Sequence, residues 1–210
     1  MPQSNKRHSR LQSFLDNPAK SMWTLAIPVI AGMGIQTLYT IVDMIFIGKL
    51  GGESIAAVAF NMPIFFFVMG LSFGLGSGVT ASIARFIGAD DKVNADNAAE
   101  HAVAIALIIS AILTIIGLIF GETILMYMGC TPAVLPQAWE YLKVSCYGIT
   151  FGVFSAFFRS ILAGEGDMKL PMIVAGLGTV FNIVLDPIFI FTLNFGVAGA
   201  AWATTISQII

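Results

Sequence analysis

Two aspartates, Asp43 and Asp186, each lie within an apolar stretch that is long enough to cross a membrane. A carboxylate at such a depth costs roughly 2.5–3.5 kcal/mol on insertion scales, and residues of this kind usually face a cavity, an ion or a partner. Tyr39 precedes Asp43 by four residues and Asn182 precedes Asp186 by four, so each pair shares one helix face. The spacing therefore predicts a binding site for a cation or a proton.

A threonine in a third apolar stretch lies at the same depth as the two aspartates. Counted at about 1.5 Å per residue from the same end of the predicted helices, Asp43, Asp186 and Thr204 fall about 7–12 Å below one membrane surface. Carboxylate, amide and hydroxyl oxygens are ligands for hard cations, whereas soft metals prefer thiolates. Two neighbouring carboxylates also repel each other, which favours a proton on one of them near neutral pH. We expect Asp43, Asn182, Asp186 and Thr204 to bind a proton, or to bind sodium as its metal ligands.

Two prolines interrupt the helices that carry the aspartates. Pro187 removes the hydrogen bond that the carbonyl of Ile183 would otherwise accept, and Pro28 has the same effect within the first apolar stretch. Carbonyls freed in this way are tolerated in a membrane where neighbouring groups or water satisfy them. We predict that Pro28, Pro187 and Tyr39 support the site and its gating.

Two further polar residues are candidates for the wall of a substrate cavity. Gln36 lies about one turn before Tyr39, and Asn61 lies two residues before Pro63 in the second apolar stretch. A packing role is the alternative for Gln36, and the filling of a helix kink is the alternative for Asn61. The sequence leaves both alternatives open.

The composition is that of an integral membrane protein. Hydrophobic residues make up 57% of the chain and charged residues only 10%, against about 25% charged residues in soluble domains. The apolar windows are 22–47, 54–84, 101–120, 139–163, 170–193 and 196–210. The first five reach the length of about 20 residues that a spanning helix needs, and the sixth is expected to be a truncated span. We predict an all-α, six-helix transmembrane bundle over residues 21–210.

Small residues and basic residues add detail to this bundle. Gly70, Gly74, Gly78 and Ser82 recur every four residues in the second window, a pattern typical of close helix packing. Eight Lys and Arg residues lie on the side of the N-terminus and two on the other side. Because basic residues favour the cytoplasmic side, we expect residues 1–20 to be a cytoplasmic leader.

Several sequence runs resemble the multidrug and toxic compound extrusion (MATE) transporters, most closely the prokaryotic branch. The runs are Asp-Met-Ile-Phe-Ile-Gly-Lys-Leu-Gly-Gly at 43–52, Arg-Ser-Ile-Leu-Ala-Gly-Glu-Gly-Asp at 159–167, Asn-Ile-Val-Leu-Asp-Pro at 182–187 and Gly-Val-Ala-Gly-Ala-Ala-Trp-Ala-Thr at 196–204. Each run is weak alone, but their order and spacing together are specific. The resemblance extends from about residue 20 to the end of the chain.

This resemblance implies a twelve-helix transporter of two lobes, of which the chain would be the N-terminal lobe and a C-terminal lobe the missing partner. It implies export of organic cations and drugs from a prokaryotic cell across its plasma membrane, driven by sodium or protons and without a further cofactor. By motif, Asp43, Asn182, Asp186 and Thr204 would form the cation site, with Tyr39 hydrogen-bonded nearby. Protonation of Asp43 with bending at Pro28 would be the gating step.

Other functions fit the sequence less well. A lipid or oligosaccharide flippase of the same superfamily is the main alternative, although such flippases often line the cavity with several basic residues. An intramembrane aspartyl protease also uses two aspartates, but its flanking motifs are missing, so we do not expect an enzyme. A channel is disfavoured because interrupted helices around buried carboxylates are typical of alternating access. Nothing in the sequence predicts a nucleic-acid partner.

Overall fold

The computed structural model describes residues 18–209, apart from nine side chains in the first helix. Those side chains belong to Pro18, Lys20, Ser21, Thr24, Leu25, Pro28, Val29, Gln36 and Tyr39. Most of the predicted leader, residues 1–17, therefore lies outside the described residues.

Six α-helices follow one another in the described chain, which contains no strand between residues 18 and 209. They are α1 Pro18–Gly48, α2 Gly52–Gly88, α3 Lys92–Tyr127, α4 Leu135–Gly164, α5 Lys169–Pro187 and α6 Gly196–Ile209. A π-helical turn, Ile188–Thr192, continues α5. The first five helices, with α5 extended by this turn, contain stretches long and apolar enough to cross a membrane. The predicted all-α membrane class is confirmed.

Aspartates cap the starts of two helices, and one of these helices begins well before its apolar window. The side chain and the backbone N–H of Asn94 donate hydrogen bonds of 2.6 Å and 3.1 Å to the carboxylate of Asp91. These bonds hold the pKa of Asp91 below its usual range and start α3 at Lys92, well before the window at 101. Asp167 likewise accepts bonds from the N–H groups of Lys169 (3.0 Å) and Leu170 (3.3 Å) at the start of α5.

The fourth helix is the centre of the bundle. It packs against α2, α3 and α6, whereas α1 packs chiefly against α5. The larger apolar core lies between α2, α3 and α4 and includes Cys146 and Phe157 of α4. A second core, around Ile47, Ile190 and Ala200, joins the end of α1 to the π turn and α6. The bundle thus has a frame, α2–α3–α4, and a second group, α1–α5–α6, that carries the residues of the predicted cation site.

Glycines on α3 allow close contact with α4. A Cβ atom at Gly117 would lie 2.5 Å from Sγ of Cys146, and one at Gly121 would lie 2.7 Å from Cζ3 of Trp139. A larger residue at either position would therefore clash with α4 unless the side chain of Cys146 or of Trp139 moved.

The glycine face of α2 differs from that of α3. A Cβ atom at Gly70, Gly74 or Gly78 would meet no atom within 4 Å in the described part of the chain. The close packing that the sequence predicts for this face is therefore not made among residues 18–209.

Candidate cation site

The two predicted aspartates lie on neighbouring helices, and both are removed from solvent. Asp43 on α1 is 9% exposed and Asp186 on α5 is 0% exposed. The two helices pack against each other, and the two carboxyl groups lie near enough to interact electrostatically. The structure therefore brings together the two groups that the sequence placed at one depth.

The amide of Asn182 connects Asp186 to Thr204. We assign the amide orientation in which its nitrogen donates to Oδ2 of Asp186 (2.9 Å). Its oxygen then accepts from the backbone N–H of Thr204 (3.1 Å) and from Oγ1 of Thr204 (3.3 Å). The opposite orientation would place the amide oxygen next to a carboxylate oxygen. Both atoms are hydrogen-bond acceptors, so no hydrogen bond could form between them. Asn182 is 2% exposed, so this contact joins α5 to α6 inside the bundle.

One oxygen of each aspartate has no hydrogen-bond partner among the described residues. These atoms, Oδ1 of Asp43 and Oδ1 of Asp186, are both buried. A buried carboxylate oxygen without a donor is costly unless a proton or a cation neutralises it. The oxygen-bearing side chains at the site are the two carboxylates, the amide of Asn182 and the hydroxyl of Thr204. This set of hard oxygen donors fits a proton or an alkali cation.

The helix that carries Asp186 changes its winding directly after Pro187. The backbone N–H of Leu193 donates to the carbonyl of Ile188 over 2.9 Å, a bond across five residues that defines the π turn. A Cβ atom at Gly199 of α6 would lie 2.7 Å from the carbonyl carbon of Phe189. α6 therefore packs directly on the backbone of the π turn, and this contact holds Thr204 beside α5.

Sequence reasoning missed this π turn. Pro187 predicts a break in the hydrogen-bond ladder, but a break can end a helix, bend it or add a residue to one turn. The structure has the third outcome, and the sequence has no further signal that selects it.

Three of the predicted residues lie on α1 with side chains outside the described residues. They are Pro28, Gln36 and Tyr39. Their roles in gating, in a substrate cavity and beside Asp43 stay predictions.

Asn61 takes part in a different contact, between α2 and α4. It is 0% exposed, and its side-chain nitrogen donates to the carbonyls of Ala57 (2.8 Å) and Ala138 (3.0 Å). Its oxygen is buried without a partner in the described part of the chain. The contact is one of helix packing, and a place in a cavity wall stays a prediction.

An apolar groove of about 440 Å³ lies between α1 and α5. Its lining includes Ile35 and Leu38 of α1 and Leu177, Val180 and Ile183 of α5. Leu38, Leu177 and Val180 are each more than half exposed, so the groove opens on the outside of this six-helix bundle.

Known transporters are similar to this chain in sequence. The MatE family model matches residues 28–188. The chain is 32% identical to the multidrug export protein MepA of Staphylococcus saprophyticus over 198 residues, which is 91% of this chain and 43% of that protein. It is 28% identical to an FAD transporter of Shewanella oneidensis, over 85% of this chain and 41% of that protein. The chain thus spans less than half the length of these relatives.

Solved structures give the same result for the fold. A transporter of the MOP superfamily from Pyrococcus furiosus superposes with a TM-score of 0.85 at 44% sequence identity. The match covers 88% of this chain and 41% of that one. That protein is described as having a binding pocket of reverse polarity that suggests a different function. The six helices therefore correspond to about one lobe of such a transporter.

Proposed function

Because the chain belongs to the MatE family of membrane transporters, we propose that it forms one lobe of a multidrug exporter that is coupled to sodium or protons. The second lobe would be the missing partner, and the two would work by alternating access. Relatives named as multidrug export and multidrug resistance proteins support drug-like substrates, and organic cations suit the two carboxylates. We place the protein in a prokaryotic plasma membrane with the N-terminus in the cytoplasm, which the distribution of Lys and Arg supports.

The observation that carries this proposal is the buried pair Asp43 and Asp186, each with one oxygen that has no hydrogen-bond partner among the described side chains. When neither a proton nor a cation is present, the two carboxylates repel, which favours separation of α1 from α5. A cation between them, or a proton on one of them, removes the repulsion and favours closer packing. Occupancy of the site therefore biases the position of α1, and a ligand that favours one of two conformations shifts the population towards it.

The proposal is tested by Asp43→Asn in the full-length protein, expressed in a drug-sensitive bacterial strain. The substitution keeps the side-chain shape but removes the charge that attracts the coupling ion. We expect drug resistance to fall to that of cells with an empty vector, while the amount of protein in the membrane stays unchanged. Asp96→Asn is the matched control, because Asp96 is exposed on α3 and far in sequence from the site; it should keep wild-type resistance. Wild-type resistance in the Asp43→Asn cells would refute the assignment.

A second candidate, export of a flavin nucleotide, is favoured by the relative named as an FAD transporter. The same site would serve as the coupling site, and only the substrate would change. The amount of flavin that the cells release into the culture medium distinguishes the two candidates. Export of flavin that depends on Asp43, without drug resistance that depends on it, would select the second.

A further inference from the structure

An apolar layer lies between the cation site and the C-terminal ends of α1 and α5. Ile47 follows Asp43 by four residues and Ile190 follows Asp186 by four, so each isoleucine lies about one turn beyond an aspartate. Ile47 is 0% exposed and Ile190 is 1% exposed. The distribution of Lys and Arg predicts that these helix ends lie on the outer side of the membrane. The two isoleucines therefore lie between the carboxylates and the outer surface.

Side chains from most of the bundle complete this layer. Both isoleucines belong to the second apolar core, whose buried members come from α1, α2, α4, the π turn and α6. The other buried members are Val58, Tyr141, Val144, Val197, Ala200 and Ala201. The ring of Tyr141 packs edge-on against Phe65, with the ring centroids 5.9 Å apart. A passing cation would find no ligand in these side chains other than the hydroxyl of Tyr141.

A pair of aromatic rings covers the outer face of the layer. Phe46 of α1 and Phe191 of the π turn have ring centroids 6.2 Å apart and ring planes at 77°. Nζ of Lys49 lies 5.5 Å from the centroid of the Phe46 ring. A cation that approached along the end of α1 would thus meet a positive charge first and apolar side chains behind it.

The inner side of the site is built differently. There α1 and α5 leave between them the groove of about 440 Å³, whose lining includes Leu38 and Ile183. Leu38 lies five positions before Asp43 and Ile183 lies three before Asp186, so the groove comes within about one turn of the carboxylates. The pair α1–α5 is therefore closed on the outer side of the carboxylates and parted on the inner side.

The transfer of an ion from water into apolar surroundings without ligands is very costly, and apolar constrictions in channels stop ions because water leaves them. We propose that Ile47 and Ile190 form a dry barrier that keeps the coupling ion from reaching Asp43 and Asp186 directly from the outer surface. This proposal rests on the proposed function, in which alternating access controls the route of the ion. Without the barrier, ions would pass from outside to inside whenever the site is open to the cytoplasm, and the gradient would be lost without export.

The test measures ion uptake by the full-length protein in liposomes with no drug present. Radioactive sodium and a trapped pH-sensitive dye report the uptake of sodium and of protons down an imposed gradient. Valine and threonine differ chiefly by a hydroxyl, which in the layer can hold a water molecule. We expect Ile190→Thr to take up the coupling ion at least fivefold faster than wild type, and Ile190→Val to stay within twofold of it. Ile47→Thr and Ile47→Val repeat the comparison on α1.

Two controls separate the barrier from general loosening of the bundle. Ile83 of α2 is 1% exposed and lies against Gly164 of α4, away from the layer. Ile83→Thr should therefore stay within twofold of the wild-type uptake, and melting temperatures in detergent show which variants are folded. Asp43→Asn added to Ile190→Thr should return the uptake to the wild-type rate, because the leak passes the carboxylates.

Three results would overturn the barrier. They are wild-type uptake in the folded threonine variants of the layer, an equal leak in Ile83→Thr, and a leak in Ile190→Thr that persists when Asp43→Asn is added. Drug export by the wild-type protein that depends on Asp43, without a leak in the threonine variants, would overturn the barrier alone. A leak that depends on Asp43, in a protein that exports no drug with either gradient, would support the barrier and count against the proposed function.

Discussion

The side chain of Asn182 contacts groups on two helices and holds the candidate cation site together. Its nitrogen donates to Asp186 and its oxygen accepts from Thr204. Without this amide, the second oxygen of Asp186 would lose its donor, and α6 would lose its polar contact with α5. A hydrogen bond to a charged group contributes about 1.5–3 kcal/mol, so this single residue matters for both the charge and the position of the site.

We therefore expect Asn182→Ala to weaken binding of the coupling ion by about tenfold to a hundredfold in the full-length protein. The measurement is drug export as a function of sodium concentration and of pH. Asn97→Ala is a suitable control, since Asn97 is exposed on α3. An unchanged ion dependence in Asn182→Ala would contradict the assigned hydrogen bonds.

Asn61 is also a buried asparagine, but its bonds connect α2 and α4 of the frame. Asn61→Ala removes two donated hydrogen bonds and leaves a small cavity, so we expect a loss of about 1–3 kcal/mol in the free energy of unfolding. The melting temperature of the purified full-length protein in detergent should fall, while the ion dependence of export stays that of wild type. If instead the melting temperature holds and the drug specificity changes, Asn61 lines the substrate cavity as the sequence predicts.

At the scale of elements, the contact between α6 and the π turn positions the third helix of the site. α6 approaches so closely that Gly199 faces backbone atoms, which cannot move aside as a flexible side chain can. The π turn begins directly after Pro187, whose missing N–H interrupts the ordinary ladder of hydrogen bonds. The site thus depends on a glycine and a proline that bind nothing themselves.

Gly199→Ala should therefore separate α6 from the π turn and weaken ion-coupled export. Alanine is intrinsically the better helix former by about 1 kcal/mol, so a loss of function or stability must come from the contact. Gly74→Ala makes the same change where nothing lies within 4 Å among the described residues, and it should be neutral or slightly stabilising. The measurements are the melting temperature and the rate of drug export of each of the two variants. Equal behaviour of the two would contradict the packing described for Gly199.

The sequence predicted the elements better than the details of their ends. Carboxylates within apolar windows are costly, and counting depth along helices was enough to group Asp43, Asp186 and Thr204. The early start of α3 escaped prediction because capping by Asp91 depends on a polar turn outside the apolar window. The π turn escaped because one extra residue in a helical turn leaves no periodic signal.

For the whole molecule, the distribution of basic residues predicts which ends of the helices face the cytoplasm. The turn between α2 and α3 should face inward, and the segment between α3 and α4 should face outward. Ala89 and Pro132 are exposed residues in these two segments. Single cysteines at these positions can therefore report the orientation of the entire bundle.

We expect Ala89→Cys to react with a membrane-impermeant maleimide only after cells are permeabilised, and Pro132→Cys to react in intact cells. Both variants are made in full-length protein in which Cys130→Ser and Cys146→Ala remove the two buried thiols. The same background without an added cysteine is the control for other labelling. Reversed labelling would place the N-terminus outside and would contradict the orientation predicted from the basic residues.

The pairing of α1 with α5 has a consequence for synthesis. The frame joins helices that are consecutive in the chain, so α2, α3 and α4 can pack as soon as they emerge. Asp43 and Asp186 are 143 positions apart, and at about 5–20 residues per second roughly 7–30 s pass before the second aspartate exists. During that interval the carboxylate of Asp43 must be tolerated in the membrane without its later neighbours. The cation site is therefore the last part of the bundle that can assemble. Until α5 and α6 are made, α1 lies beside the completed frame without its final packing partners.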